Sequence, residues 1–472
     1  MFVEKVVIMG KKDKTKKLMT NMLLFTIGNM GSRLLVFFLV PLYTYALSTS
    51  DYGIADLVST TAFLLIPIMT LNIQDAVLRY GLDSRYDTKA VLSVGIKLNF
   101  IGAIVTAGLC MLAALLNLFK WNWYVYFFLF FIYFFGAINN CMSFYLKACD
   151  EIKLVTISGI INTAITCLLN IVALIVLKCG LVGYLSAYML GSFFSSVYLF
   201  LKGHLYAKII INPDKTVEKE MIHYSKPLIL NSVAWWINNS SDRFIVTYFC
   251  GVAVNGIYSV AYKIPSILTT LQTVFYNAWS ISAVTEFDSE DSDGFIGKTY
   301  SVYCFLNSIA CSIIMIFSIP IAKVLYQKEF FIAWTYTPFL LVGTFFCGIS
   351  LFQGCIFTAV KQTVIVSKTT ILGAVINTFF NIILIFCIGA QGAAISTMLG
   401  YFSTFLGRHI YLRRFVDMKM NWTEHFVSII ILIVQACVAV YYNNVIYEIV
   451  LFALLLIVQK DSIKIFFYKR IK

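Results

Sequence analysis

Charge is what this chain has least of. Asp, Glu, Lys and Arg make up 12% of its 472 residues, against about 25% in soluble domains. So few charges cannot clothe a water-soluble surface of this size, which excludes a soluble enzyme and a disordered chain. There is no Walker A sequence to cradle ATP phosphates, no HExxH and no GxSxG. No loop is long enough to hold an extramembrane catalytic domain. The twelve cysteines include no CxxC pair. Most of them (Cys110, Cys167, Cys311, Cys347, Cys387, Cys437) lie in apolar runs and read as small apolar side chains, not as metal ligands or disulfide partners. Neither a metal nor a cofactor is expected.

What is abundant is apolar: 60% of residues are hydrophobic and the mean hydropathy is +0.84. Apolar stretches too long for barrel strands recur between short polar breaks, which predicts an all-α polytopic membrane protein. Spans are expected at 20–47, 53–78, 90–118, 122–146, 154–178, 180–201, 222–250, 253–282, 299–324, 331–358, 363–388, 390–411, 423–441 and 444–459, about fourteen in all. No cleavable signal is evident, and the lysine-rich segment 1–19 reads as a cytoplasmic tail.

Lys and Arg exceed Asp and Glu by 36 to 23, a net charge of +13. The excess follows the positive-inside rule and does not point to nucleic acid. With the N-terminus inside, alternate segments gather the cations, including Arg79, Arg85, Lys147, Lys202, Arg408, Arg413, Arg414 and the tail 460–472. The opposite loops hold only Lys120, Lys178, Lys323 and Lys328. Both termini are therefore expected in the cytoplasm. The acidic loop with Glu286, Asp288, Glu290, Asp291 and Asp293 is the one odd inside segment.

The chain also looks doubled. Shifted by about 210 residues, Asn29 and Arg33 fall on Asn239 and Arg243, and Asn170 falls on Asn381. The turns Asp51-Tyr52-Gly53-Ile54 and Val254-Asn255-Gly256-Ile257 correspond, the first hairpin being longer by about seven residues. A shift of six helices keeps the topology, so the repeats are parallel, about an axis along the membrane normal. The expected domains are lobes at 20–201 and 222–411, a linker at 202–221 and two extra helices at 423–459. Two such bundles enclose a central cavity, with Arg33 and Arg243 facing each other across it.

Intramembrane charges are costly and mark functional candidates. Arg33, Arg243 and Lys263, the last placed mid-helix in the eighth span, either line the cavity and hold an anionic group, for which Arg is suited by its fork of donors, or pair with acids and staple helices. Asp242, Asp56 and Asp75 are the acidic candidates, the last two open to a local structural role. Lys97 lies near the cytoplasmic end of the third span, where it can snorkel. Asn29, Asn231, Asn238 and Asn239 suit sugar hydroxyls or helix–helix bonds. Trp235 and Trp236 could stack on a sugar, whereas the other Trp and Tyr residues read as an interfacial belt. Pro67 and Pro265 occupy the second helix of each repeat and predict kinks, either for opening and closing or for packing.

Three of these stretches resemble one family. Gly31-Ser32-Arg33, Pro41-Leu42-Tyr43-Thr44-Tyr45-Ala46-Leu47-Ser48 and Asp51-Tyr52-Gly53-Ile54-Ala55 are similar to the N-terminal hairpin of bacterial polysaccharide (O-antigen, Wzx-type) flippases. Asp242-Arg243-Phe244-Ile245 with Asn255-Gly256-Ile257-Tyr258-Ser259-Val260-Ala261-Tyr262-Lys263 resembles that family's second-half signature. Asn381 with Gly389-Ala390-Gln391-Gly392-Ala393-Ala394 looks like its common helix end. The resemblance covers roughly 20–412. It implies a member of the multidrug/oligosaccharidyl-lipid/polysaccharide exporter superfamily with a MATE-like fold. It further implies that undecaprenyl-diphosphate-linked oligosaccharide is flipped across the bacterial inner membrane for O-antigen or capsule assembly. Arg33, Arg243 and Lys263 would hold the diphosphate, a proton or sodium ion would drive the cycle, and a polysaccharide polymerase would be a partner. The competing readings are a MATE-type organic-cation antiporter, which needs cavity carboxylates; a membrane polymerase, which needs a large outside loop; and a peptidoglycan-precursor flippase.

Overall fold

A backbone in hydrocarbon must satisfy its own N–H and C=O groups, and a helix does so within one segment. The structure, a computed structural model, describes Gly31 and residues 35–468 apart from Asn212, Glu286 and Lys419. The described residues are helical with no strand among them. Each expected span contains helix, and nine of the described helices are long and apolar enough to cross a membrane. The tail 1–19, Asn29 and Arg33 lie outside the described residues, as does the tail beyond 468.

Two compact units divide the described chain. The first comprises the residues before Ser48 and Ala55–Val233; the second comprises Ser48–Ile54 and the residues from Ala234 onward. The boundary at Val233 falls inside helix α8 rather than in 202–221, because the later part of that stretch is already the start of α8.

In the first unit the order is α1 (Val40–Ala46), α2 (Thr49–Met69), α3 (Ile73–Gly81), α4 (Thr88–Leu115), α5 (Trp123–Ala148), α6 (Ile152–Ile171), α7 (Gly180–Lys202) and the first half of α8 (Lys215–Cys250). Its core joins Val91 and Leu92 of α4, Cys141 and Tyr145 of α5, and Met221 of α8. The same docking is pinned by charge. Lys97 Nζ lies 2.8 Å from the Glu218 carboxylate, and Tyr86 donates to Glu220 at 2.6 Å. Lys97, exposed at its tip, finds an anion on the first turn of α8. The second span breaks between α2 and α3, where Leu71 and Asn72 have φ of 54° and 52°. Asn tolerates that region and Leu does not, so the break carries strain. Pro67 lies inside α2 and its carbonyl accepts from the Asn72 N–H at 2.8 Å, which closes the turn.

The second unit continues with α9 (Val252–Ala261), α10 (Pro265–Thr285), α11 (Phe295–Ile316), α12 (Ser318–Leu325), α13 (Thr337–Ala359), α14 (Thr363–Ile388), α15 (Ala390–Leu412), α16 (Trp422–Tyr441), α17 (Val445–Val458) and α18 (Lys460–Tyr468). The eighth span is broken, not merely kinked. Pro265 has no N–H to give and opens α10, which leaves Tyr262, Lys263 and Ile264 as a turn. The odd acidic loop is a helix start. Asp291 is fully buried and accepts from the Ile296 and Gly297 N–H groups, both at 2.8 Å, and Asp293 accepts from Phe295 N–H at 2.9 Å. Carboxylates there cap the N-terminus of α11, which also favours negative charge.

Within the second unit the two corresponding turns of the repeat cross each other. A Cβ at Gly53 would collide with the Val252 carbonyl oxygen, and one at Gly256 with the Thr49 carbonyl oxygen. Only glycine lets the backbones approach so closely. Asn255 Nδ2 donates to the Gly53 carbonyl at 3.4 Å, and the Tyr52 ring packs edge-on to Phe330 at 5.7 Å. The hairpins α6–α7 and α14–α15 likewise repeat one design: each turn is made by a glycine in the left-handed region, Gly180 at φ 53° and Gly389 at φ 63°.

Candidate functional site

The second unit holds the main polar cluster. Asp242 of α8 is only 3% exposed, so its carboxylate needs donors in place of water. Tyr258 donates to Oδ2 at 2.7 Å and Tyr262 at 2.6 Å. Spaced four apart, these two tyrosines present both hydroxyls to one point. The Arg243 backbone N–H donates to Oδ1 at 3.0 Å, and Thr397 of α15 donates to Oδ2 at 3.4 Å. The chain of polar groups continues: Asn377 donates to Thr397 at 3.4 Å, and Asn381 donates to Asn377 at 2.9 Å. The matched Asn381 of the repeat therefore ends a relay that begins at a buried carboxylate.

Arg243 lies half-buried beside it, its guanidinium carbon 5.3 Å from the centre of the Tyr262 ring, in cation–π range. Lys263 is the next residue along, half-buried in the helix break, and the backbone carbonyl of Lys263 accepts from Ser266 at 2.5 Å. Lys263 thus lies in a turn and not mid-helix. Asn239 receives Tyr401 of α15 at 2.8 Å and donates to the Trp235 carbonyl at 2.7 Å, a helix–helix bond. Trp235 is exposed, while Trp236 packs on Phe244 at 5.4 Å.

Arg408 is a correction. Counted above as an inside-loop cation, it is 5% exposed inside α15. Its guanidinium donates to the Ser350 carbonyl, to Thr369 at 3.2 Å and to Thr370 at 3.0 Å. All three acceptors are neutral. Gly354 leaves the room, since a Cβ there would stand 3.1 Å from Nη1.

In the first unit Asp75 accepts from Asn72 at 2.5 Å, and Asn72 in turn accepts from Gln74 at 2.7 Å. That is a local structural role at the α2–α3 break. Asp56 lies half-buried in α2, its backbone carbonyl accepting from Thr60 at 2.6 Å. The sequence reading missed a cavity of about 140 Å³ lined by Ser59, Asn139, Asn140, Asn162, Tyr188 and Ser192. Asn139 is anchored on Ser195 at 2.9 Å. The adjacent Asn139 and Asn140 in an apolar run were the signal available. Asn29 and Arg33 lie outside the described residues, so their facing of Arg243 is carried as proposal.

Known proteins supply a frame for this geometry. The chain shares 26% identity over 217 residues with the probable low-salt glycan biosynthesis flippase Agl15 of Haloferax volcanii, covering 44% of each. It therefore spans less than half the length of that relative. Among solved structures, the lipid II flippase MurJ in an inward closed conformation superposes with a TM-score of 0.72 at 14% identity, over 95% of this chain and 100% of that one. An inward-facing multidrug resistance MATE family transporter of the MOP superfamily superposes at 0.65 with 13% identity, over 83% of this chain and 98% of that one. The fold is the one these share. A profile of the family described as polysaccharide biosynthesis protein matches residues 18–280, more than half the chain, and the chain belongs to that family.

Proposed function

We propose that this protein is a transporter that flips a lipid-linked glycan across a membrane, with no catalytic chemistry of its own. Arg243 and Lys263, with Arg33, take the diphosphate that joins lipid to glycan. The amide-lined cavity of the first unit, with Asn140 and Asn162, suits hydroxyl groups. The observation that carries the reading is the half-buried Arg243 guanidinium, its carbon 5.3 Å from the Tyr262 ring centre. An Arg fork, with Lys263 following Tyr262 in the chain, suits a dianionic linkage. The finer form of the proposal names undecaprenyl-diphosphate-linked repeat units of an O-antigen or capsule, the bacterial inner membrane with both termini cytoplasmic, a coupling proton or sodium ion, and a polymerase that uses the flipped unit.

An organic-cation antiporter would need a carboxylate open to its substrate. Both oxygens of Asp242 already accept hydrogen bonds, which favours the glycan reading. The test deletes the gene and follows lipid-linked repeat units, with wild type, Arg243→Gln or Lys263→Gln supplied back. Accumulation on the inner leaflet, relieved by wild type but not by inserted Gln variants, is the expected result. Unchanged surface glycan with altered drug tolerance would hand the function to the antiporter.

A further inference from the structure

A second cavity, of about 340 Å³, lies at the junction of α15 and α16. Liquid water occupies about 30 Å³ per molecule, so this is space for a headgroup and not for one solvent molecule. His409 and Arg413 line it from the end of α15, Asp417 and Met418 from the connection, and Trp422 from the start of α16. His409 is 4% exposed, and neither ring nitrogen has a hydrogen-bond partner. Its imidazole stands 4.4 Å from the Trp422 ring and 5.9 Å from that of Phe405. A buried polar ring left this way is unfavourable, and an acceptor in the cavity relieves it.

The other walls complete a pattern of charge. The Arg413 guanidinium carbon lies 5.6 Å from the Trp422 ring centre; no carboxylate among the described residues pairs with it. Asp417 is held by its backbone N–H, which donates to the Ser289 carbonyl at 3.0 Å, and its side chain is exposed. The cavity thus offers a cationic fork, an imidazole donor, a carboxylate and an indole face. An anion alone would meet Asp417 and a cation alone would meet Arg413, so a zwitterion fits both. The site lies where α15 ends, at Leu412, and the candidate span α16 begins, at Trp422; the start of a span is the depth of lipid headgroups and of interfacial tryptophan.

We propose that this cavity binds the headgroup of a phospholipid bearing a primary amine, of the phosphoethanolamine type. Its phosphate takes the Arg413 fork and the His409 N–H. Its ammonium donates to Asp417 and faces Trp422, where cation–π attraction adds to the pair. A choline headgroup has no N–H for Asp417, and a glycerol headgroup brings no cation to it.

The test uses the full-length protein in nanodiscs of phosphatidylcholine doped with phosphatidylethanolamine or phosphatidylglycerol, with retained lipid counted by native mass spectrometry. Each charge-assisted bond is strong enough that the ethanolamine lipid is retained about tenfold over the others; Asp417→Asn removes that preference, and Arg413→Gln lowers retention of all three lipids about tenfold. Both side chains are exposed, so neither change endangers folding. His409→Phe fills the aromatic box and lowers retention severalfold while the melting temperature holds. Equal retention of the three lipids, a preference unchanged in Asp417→Asn, or retention unchanged in Arg413→Gln overturns the proposal. A second arm titrates soluble O-phosphoethanolamine by tryptophan fluorescence, with Trp422→Phe as control. Binding of that compound as tight as the lipid's would make this a site for a free metabolite and overturn the lipid assignment.

Discussion

Asn170 and Asn381 hold equivalent places in the two repeats, yet their surroundings differ. Asn170 donates to the Thr166 carbonyl at 2.8 Å and to Tyr43 at 3.3 Å. Asn381 donates to Asn377, which reaches Thr397 and so Asp242. The packing underneath is the same in both halves. Gly191 lies against Thr166, and Gly400 lies against Asn377. The sequence differs at two corresponding places: the shorter Thr166 stands where Asn377 stands in the second copy, and Ser32 where Asp242 stands. Duplication kept the helix contact and let the polar tip change, leaving an amide-lined cavity in the first unit and a buried carboxylate in the second.

The strongest challenge to this comparison is Asp242→Ala. It strands the Tyr258 and Tyr262 hydroxyls in a buried place and should destabilise by about 3–5 kcal/mol, whereas Asn170→Ala in the first half should lose about 1 kcal/mol. Equal drops in melting temperature would mean the halves are energetically alike. Gly400→Ala comes next, at about 1–3 kcal/mol. The new methyl would stand 2.7 Å from the Asn377 Cβ, close to backbone. Gly191→Ala meets the Thr166 hydroxyl and, at 3.0 Å, the Asn162 carbonyl oxygen and should cost a similar amount, as paired thermal melts would reveal. Asn377→Thr makes the second copy read like the first. The expected outcome is a severalfold loss of transport with a stability change of about 1 kcal/mol, and Thr166→Asn should be silent in the same flipping assay.

The smallest effect belongs to an exposed pair outside both clusters. Arg85 donates to Asp83 at 2.7 Å and holds the Asp83 carboxyl down at about 2. A folded-state value below the ordinary carboxylate one stabilises above about pH 4. That contribution disappears as the pH falls towards 2. Solvent screens the pair, so Asp83→Asn should lower the neutral-pH melting temperature only slightly and remove the matching small fall towards pH 2.

The spans were legible because apolar length is a composition signal that needs no partner, and the repeat because Asn and Arg are rare inside spans. Cross-chain partners were not legible. Nothing near Asp242 in sequence announces Tyr258, Tyr262 and Thr397, which converge only after α8, α9 and α15 pack. Lys263 was visible as an intramembrane cation, but its turn follows from Pro265 ending the helix before it. Arg408 misled for a physical reason: a cation one turn from a span end is counted with the loop, and its acceptors at Ser350, Thr369 and Thr370 lie on two other helices. The cavity around Asn140 needed four helices to be seen at all.

The crossing at Gly53 and Gly256 has the form of a two-fold interface. Gly53 meets Val252 while Gly256 meets Thr49, and these four are two pairs of corresponding residues, the reciprocity that defines an isologous contact between identical subunits. A chain of half this length would need a second copy of itself to make it, and would lose about 4–15 kcal/mol of translational and rotational freedom in doing so. Joined in one polypeptide, the partner is always present at high effective concentration. The contact can therefore be as small as two glycines and two carbonyls and still form, weak enough to break and certain to find itself again.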